Sequence, residues 1–120
     1  MIDIYFEKNL DYCSNTCPPH LSKFPDGSDI EIFSFNALKK ISKLGLEKDY
    51  KEHLTKFFWK NNKFKKFILN NKKNLSNFKY SVDTMDDFKK IERLIKYFKN
   101  KIYTITTDQI ISYLKNDTQK

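Results

Sequence analysis

Asp83 is the side chain whose type and position most invite chemistry, in the segment Tyr80-Ser81-Val82-Asp83-Thr84-Met85-Asp86-Asp87-Phe88. The alternation of Tyr80 and Val82 predicts a short strand that runs straight into an acidic turn. A helix is predicted to follow at once. Thr84 is a good N-cap, and Asp86 and Asp87 fall in the first turn, where carboxylates suit the positive end of the helix dipole. Asp83 would then be the last residue of a strand beside a capped helix, and α/β folds gather ligands and metals at the carboxyl ends of strands. The competing reading is that Asp83 only organises the turn. The spacing alone leaves both open.

A second candidate segment is Phe24-Pro25-Asp26-Gly27-Ser28-Asp29-Ile30-Glu31-Ile32-Phe33-Ser34. It joins a Pro-Asp-Gly turn to a strand with Ile30, Ile32 and Ser34 on one face and Asp29, Glu31 and Phe33 on the other. Two carboxylates on one face near a glycine turn suit a metal, a sugar or a lysine.

The order of the motifs is more specific than any one of them. Pro25-Asp26-Gly27-x-Asp29-x-Glu31 is followed by Lys51-Glu52-His53-x-Thr55, and that by Ser81-Val82-Asp83-Thr84-x-x-Asp87-Phe88. This arrangement resembles the C-terminal part of the cytidylyltransferases of spore-coat polysaccharide and acylneuraminate activation, within the nucleotide-diphospho-sugar transferase superfamily. The resemblance runs from about Asp11 to about Leu94. It implies an α/β fold: an incomplete Rossmann-like nucleotidyltransferase sheet of mixed strands with flanking helices. It implies transfer of a nucleotidyl group from CTP to a sugar or sugar acid. Asp83 would be a ligand of Mg2+, and Asp26, Asp29 and Glu31 would line the sugar side. His53, flanked by Glu52 and Thr55, would position substrate or hold its helix on the sheet. Thr84 and Asp87 would support the site. Lys79 stands where the family often has an arginine, and supplies charge without a guanidinium fork.

The same resemblance implies a missing part. The family opens with a strand and a Gly/Ser/Arg-rich loop for the triphosphate, and a later Asp-bearing segment completes the metal site. Here the only glycines are Gly27 and Gly45 and the only arginine is Arg93. Met1 to Phe6 resembles the helix that follows that Asp-bearing segment. The expectation is the back half of an enzyme, inactive alone, whose nucleotide and sugar substrates bind only once an N-terminal half completes it. A homodimer or a complementing chain would be its partner. The alternative class is a non-catalytic scaffold or interaction remnant.

Length and composition fit a small domain over residues 1–120, with a core to about residue 100 and a C-terminal extension from about 101. A chain of this size buries roughly two-thirds of its unfolded surface. Asp3 and Glu7 interrupt the N-terminus, so no signal peptide is expected, and no run approaches transmembrane length. The expected location is the cytoplasm, with no membrane partner. Cys13 and Cys17, spaced Cys-x3-Cys before Pro18, Pro19 and His20, lack the spacing and the further ligands of a zinc site and are expected to be unpaired thiols.

The elements needed to position these residues read in alternation. Residues 2–9 are predicted to end a helix and 11–15 to form a strand. A strand at about 28–34 leads to a helix from Ser34 or Asn36 to about Leu44, stopped by Gly45, with Phe35, Leu38, Ile41 and Leu44 as its apolar stripe. A helix over 48–60, strands at about 64–69 and 78–83, and a helix over 85–99 with Phe88, Ile91, Ile95 and Phe98 buried come next. A last helix, about 107–115, is capped by Thr107.

Between Leu54 and Val82 there are eight lysines and no acid, while the remaining 15 basic and 15 acidic residues cancel, so this stretch carries the whole net charge of +8. Trp59, Phe57, Phe58, Phe64 and Phe67 lie among those lysines. Lysines mixed with aromatics suit single-stranded nucleic acid. These aromatics recur as helix and strand cores would, however, and no arginine accompanies them, so nucleic acid ranks below a solvated lysine face.

Overall fold

The computed structural model describes residues 1–16, 18–44 and 54–117. Cys17, Gly45, Glu52 and His53 lie outside them. Two compact units emerge, one of Met1–Phe24 and Ser28–Leu75, the other of Pro25–Gly27 and Ser76–Lys120.

The first unit is an α/β arrangement of a mixed three-stranded sheet with helices against it. Strand β1 (Tyr12–Ser14) lies between β2 (Glu31–Phe33) and β3 (Lys66–Ile68). It runs antiparallel to β2, with Cys13 opposite Ile32, and parallel to β3, with Cys13 opposite Phe67. All three β1 residues are buried. Successive side chains of a strand point to opposite faces, so Tyr12 and Cys13 seed two different cores. Tyr12 joins Ala37, Ile41, Phe58 and Phe64, with Phe33, Phe57, Trp59 and Ile68 packed around them. These come from helix α2 (Phe35–Ser42), helix α3 (Leu54–Lys60), the three strands and, for Phe64, the loop before β3. The Tyr12 and Phe58 rings stack at 5.1 Å, and Phe64 meets Phe58 edge-on at 5.0 Å. Burying one such ring contributes about 1.5–3 kcal/mol. Cys13 joins Tyr5 and Leu10, with Met1, Ile4, Ile32 and Phe67, beneath the short helix α1 (Ile2–Glu7). Cys13 is a free thiol, and burial raises its pKa.

Several expectations shift by small, explicable amounts. The strand expected at 28–34 shortens to Glu31–Phe33 because the Asn15 side chain takes the preceding backbone. Its Nδ2 donates to the Ser28 carbonyl at 2.8 Å, and its Oδ1 accepts from Ile30 N at 2.8 Å. Helix α2 starts where the sequence placed it, with Ser34 Oγ accepting from Ala37 N at 2.9 Å, a cap worth about 1 kcal/mol. Its buried stripe is Ala37 and Ile41, whereas Phe35 and Leu44 are exposed. Phe35 sits in the first turn and receives the Lys39 ammonium over its ring at 4.6 Å, the i, i+4 neighbour on a helix. The aromatics among the lysines are core residues. Lys66 turns its ammonium onto the last turn of α3, donating to the carbonyls of Trp59 and Asn61 at 2.7 and 3.2 Å, where a cation complements the helix dipole.

The second unit holds helix α4 (Met85–Phe98) and helix α5 (Thr107–Asp117). They meet through an Arg93–Asp117 ion pair at 3.1 Å and the rings of Tyr97 and Phe98 against Tyr113 at 4.8 and 6.0 Å. This contact fixes which side of α4 faces inward. Leu94 is buried, whereas Phe88 and Ile95 of the expected stripe are exposed. At the start of α5, Thr106 and not Thr107 makes the cap. Thr106 Oγ1 accepts from Gln109 N at 3.3 Å, and the Gln109 side chain accepts from Thr106 N at 2.8 Å. The strand expected at 78–83 is reduced to one parallel bridge between Asp26 and Lys79. Among the described residues only Asp26 offers a backbone partner there, so Ser81 and Val82 join no ladder with them. No described helix is long and apolar enough to cross a membrane.

Candidate functional site

The Asp26-Gly27 turn and the segment Lys79 to Asp87 build one site within the second unit. Asp26 N donates to the Phe78 carbonyl and Tyr80 N to the Asp26 carbonyl, both at 2.9 Å. Gly27 has φ of +98°, and a Cβ there would lie 2.7 Å from Ser81 N and 2.9 Å from Tyr80 Cδ2. Only glycine allows both the backbone angle and this approach. The turn therefore holds the backbone that leads into Asp83. Ser81 Oγ is buried there without a hydrogen-bond partner among the described residues.

Asp83 does not end a sheet strand, as the sequence suggested. It sits on the loop just before Thr84, the N-cap of α4. The Lys79 ammonium lies between two carboxylates, 2.7 Å from Asp83 Oδ2 and 2.8 Å from Asp87 Oδ2. Asp87 Oδ2 also accepts from Asp83 N at 3.2 Å, Thr84 N at 3.0 Å and Thr84 Oγ1 at 2.9 Å. In return, Asp87 N donates to Thr84 Oγ1 at 3.2 Å, which completes a capping box. The three side chains differ in access: Asp83 is 67% exposed, Lys79 33% and Asp87 16%.

The electrostatics follow from that geometry. Hydrogen bonds from Lys79, then from Thr84 and the backbone of Asp83 and Thr84, hold the Asp87 carboxyl well below the usual carboxylate range. Hydrogen bonds to Asp83 and then Asp87 push the Lys79 ammonium well above its ordinary value. Both groups stay charged across the neutral range. Asp83 and Lys79 form a fixed charge pair at the surface, and Asp87 is the anchor that keeps Lys79 there.

Of the residues singled out in the sequence, the second unit brings together Asp26, Lys79, Asp83, Thr84 and Asp87. Asp29, Glu31 and Thr55 belong to the first unit. Glu31 accepts a 2.5 Å hydrogen bond from the buried Tyr12 hydroxyl, which ties this carboxylate to the core. Asp29 is exposed, and Thr55 is half-buried in the first turn of α3. Glu52 and His53 lie outside the described residues. Lys90 was missed. Its ammonium donates to the Lys79 carbonyl at 2.9 Å and pins the base of the Lys79 side chain. Its partner is a backbone carbonyl outside the helix, which neither residue type nor helical spacing signals. Among the described residues no group of three or more His, Cys, Asp or Glu side chains could hold a metal ion.

No protein-family model matches the sequence. The chain is similar to an uncharacterized protein of Methanocaldococcus jannaschii, with 31% identity over 98% of this chain and 46% of that protein. It is also similar to the solved structure of a cytidylyltransferase from Leptospira borgpetersenii, with a TM-score of 0.86 and 25% identity over 99% of this chain and 49% of that one. The chain thus spans about half the length of each. Its α/β fold, a mixed sheet with flanking helices, is that of part of a cytidylyltransferase, and the chain is cytidylyltransferase-like over that extent.

Proposed function

We propose that this chain supplies one side of a cytidylyltransferase site of the spore-coat polysaccharide or acylneuraminate type. The reaction is transfer of a cytidylyl group from CTP to a sugar or sugar acid. A hydroxyl or carboxylate oxygen of the sugar forms a bond to the α-phosphorus, the bond to the β-phosphate bridge breaks, and pyrophosphate leaves. The observation that carries the reading is the Lys79–Asp83–Asp87 cluster, held on the Asp26-Gly27 turn in a fold that matches a cytidylyltransferase.

Asp83 would offer Mg2+ a single exposed hard carboxylate, beside the Lys79 ammonium that pairs with it. Mg2+ commonly takes only one or two carboxylates, with phosphate oxygens and water completing its shell. When bound, it would offset the charge that develops on the phosphates. The chain's own residues do the rest. Asp87 fixes Lys79 and the Asp83 backbone, Thr84 locks Asp87, and Lys79 adds positive charge for an anionic substrate. Asp26, Asp29 and Glu31 are assigned to the sugar side, and His53, with Glu52 and Thr55, to positioning it.

With two glycines and one arginine, a triphosphate-binding loop of the expected kind must come from a further polypeptide segment, so the 120 residues alone are expected to be inactive. A cytoplasmic location accompanies this reading. Nucleic acid is not favoured, because Phe57, Phe58, Phe64, Phe67 and Trp59 pack into the two cores and offer no stacking platform. A scaffold or self-association role is favoured by one observation. Ile2, Phe6 and Ile30 are exposed around a hollow of about 710 Å3 that is also lined by Met1 and Ile32.

The test joins this chain to the portion of the Leptospira enzyme that the match leaves out and measures CTP-dependent pyrophosphate release with a panel of sugar acids. Release by the chimaera, lost in Asp83→Asn, is expected. Release indifferent to Asp83→Asn would overturn the assignment.

A further inference from the structure

Helix α1 is apolar on more than the side it buries. Tyr5 packs with Leu10 and Cys13, and Met1 and Ile4 pack against them. Ile2 and Phe6, four residues apart and so on one helix face, are instead 62% and 72% exposed. Beside them lies β2. Ile30, just before the strand, is 52% exposed, and Ile32 is half-buried. With Met1, these side chains line the hollow of about 710 Å3, whose one charged member is Asp3. The backbone is open at the same rim. β2 is an outer strand of the described sheet. Asn15 N donates to the Ile30 carbonyl at 3.3 Å and Ser34 N to the Asp11 carbonyl at 3.2 Å. Ile30, Ile32 and Ser34 therefore turn their peptide groups toward β1. In an antiparallel pair the alternate residues point the other way, so Phe33 presents its N–H and carbonyl along the outer edge.

Stable folds cover open strand edges and contiguous apolar rims. The chain spans about half of each relative, so each carries about as much polypeptide again outside the match. A second copy of this chain is the poorer fit, because a net charge of +8 on each opposes their approach. Helix α4 also exposes Met85 and Phe88, but a helix offers no open backbone edge. We infer that the rim formed by α1 and β2 is the seat of that further polypeptide. It adds a strand beside Phe33, with its backbone bonded to the β2 edge, and its apolar side chains fill the hollow against Ile2, Phe6 and Ile30. The inference rests on the reading that a further segment completes the site, and adds the place where that segment attaches. Backbone bonds of an added strand give affinity, and the apolar side chains in the hollow set its register.

The test places a reactive thiol at the rim in a Cys17→Ser background, as Phe6→Cys or as Ile30→Cys, with Tyr103→Cys as the reference. Labelling by N-ethylmaleimide is followed site by site by mass spectrometry. It is compared between the 120-residue chain and its chimaera with the portion of the Leptospira enzyme that the match leaves out. All three side chains are more than half exposed, so the substitutions spare the cores and all three should label rapidly in the 120-residue chain. In the chimaera, Phe6→Cys and Ile30→Cys are expected to label about tenfold or more slowly than Tyr103→Cys. The Phe33 amide is expected to gain protection from hydrogen exchange. Rim thiols that stay open in the chimaera, or protection of equal size at Tyr103→Cys, overturn the inference. Protected thiols with an unprotected Phe33 amide overturn the added strand. Protection that grows with the concentration of the 120-residue chain alone gives the rim to a second copy and overturns it as well. None of these readouts needs turnover: a chimaera with a protected rim and no pyrophosphate release sinks the cytidylyl assignment and leaves the seat standing.

Discussion

Replacing Gly27 by alanine tests the support beneath the site. The alanine Cβ would meet Ser81 N at 2.7 Å and the Tyr80 backbone carbon at 3.0 Å. Two of the three nearest atoms are backbone, so no side-chain rotation relieves the contact. Alanine at φ +98° adds conformational strain of about 1–3 kcal/mol. Moving the Tyr80–Ser81 backbone aside adds overpacking of about 1–3 kcal/mol. The narrower unfolded ensemble of alanine returns about 0.4–1 kcal/mol. The expected net loss is about 3 kcal/mol, against a typical total of about 5–15 kcal/mol for a domain. At roughly 4 °C per kcal/mol for a chain of this length, the Tm should fall by about 12 °C. Urea unfolding followed by circular dichroism measures the loss. Hydrogen exchange at Tyr80, whose amide donates to the Asp26 carbonyl, shows whether it arises at the turn. A Gly27→Ala loss below about 0.5 kcal/mol, the range of an ordinary surface substitution, would refute the argument that this approach needs glycine.

Stability should carry the signature of the Lys79–Asp87 bond at both ends of the pH scale. The Asp87 carboxyl is held below its usual value, so its contribution is fully present above about pH 4 and is lost as acid drives the pH down through the folded-state value. The Lys79 ammonium is raised above its usual 10.5, so its contribution is present below that pH and is lost as alkali passes the folded-state value. Thermal melts of Asp87→Asn should show a shallower acid decline than the parent chain; equal slopes would remove Asp87 from the account. In a Cys17→Ser background, Cys13 should resist a thiol reagent under native conditions and react when urea is added, because its side chain is fully buried against Tyr5 and Leu10. Labelling at the rate of a free thiol in the folded chain would contradict that burial.

The fold and the site were legible to different depths. Capping was read directly: Ser34 and Thr84 are local signals, since a hydroxyl and an amide three residues on need nothing from the rest of the chain. The faces of α2 and α4 were less legible. Phe35, Leu44, Phe88 and Ile95 satisfy a helical period, but the partner of each helix decides which arc is covered. For α4 that partner is Tyr113 and Asp117, far along the chain. The strand at 78–83 failed for a related reason. Tyr80 and Val82 alternate as a strand should, yet a strand exists only where a neighbour offers its backbone, and among the described residues only Asp26 does so. In the site, Asp83, Asp87 and Lys79 were all singled out from the sequence. Their mutual bonding was not, because Lys79 and Asp83 precede the helix, where helical spacing gives no guide. Lys90 binds a backbone carbonyl, and such a partner leaves no mark in residue type.

The central strand has a kinetic consequence. Strand β1 pairs with β3 in parallel, matching Tyr12 to Lys66, and the Asp11 carboxylate accepts from Lys65 N across 54 positions of sequence. Parallel neighbours cannot be joined by a tight turn, so this edge of the sheet closes only after a long loop has been drawn in, an entropic cost met before any ladder bond forms. The β1–β2 pair spans far less chain and can assemble early. Folding of the first unit should therefore be paced by the capture of β3, at the slower rates of folds dominated by distant contacts. During synthesis β1 and β2 leave the ribosome well before Lys66, and until β3 arrives the edge of β1 stays open to misassembly.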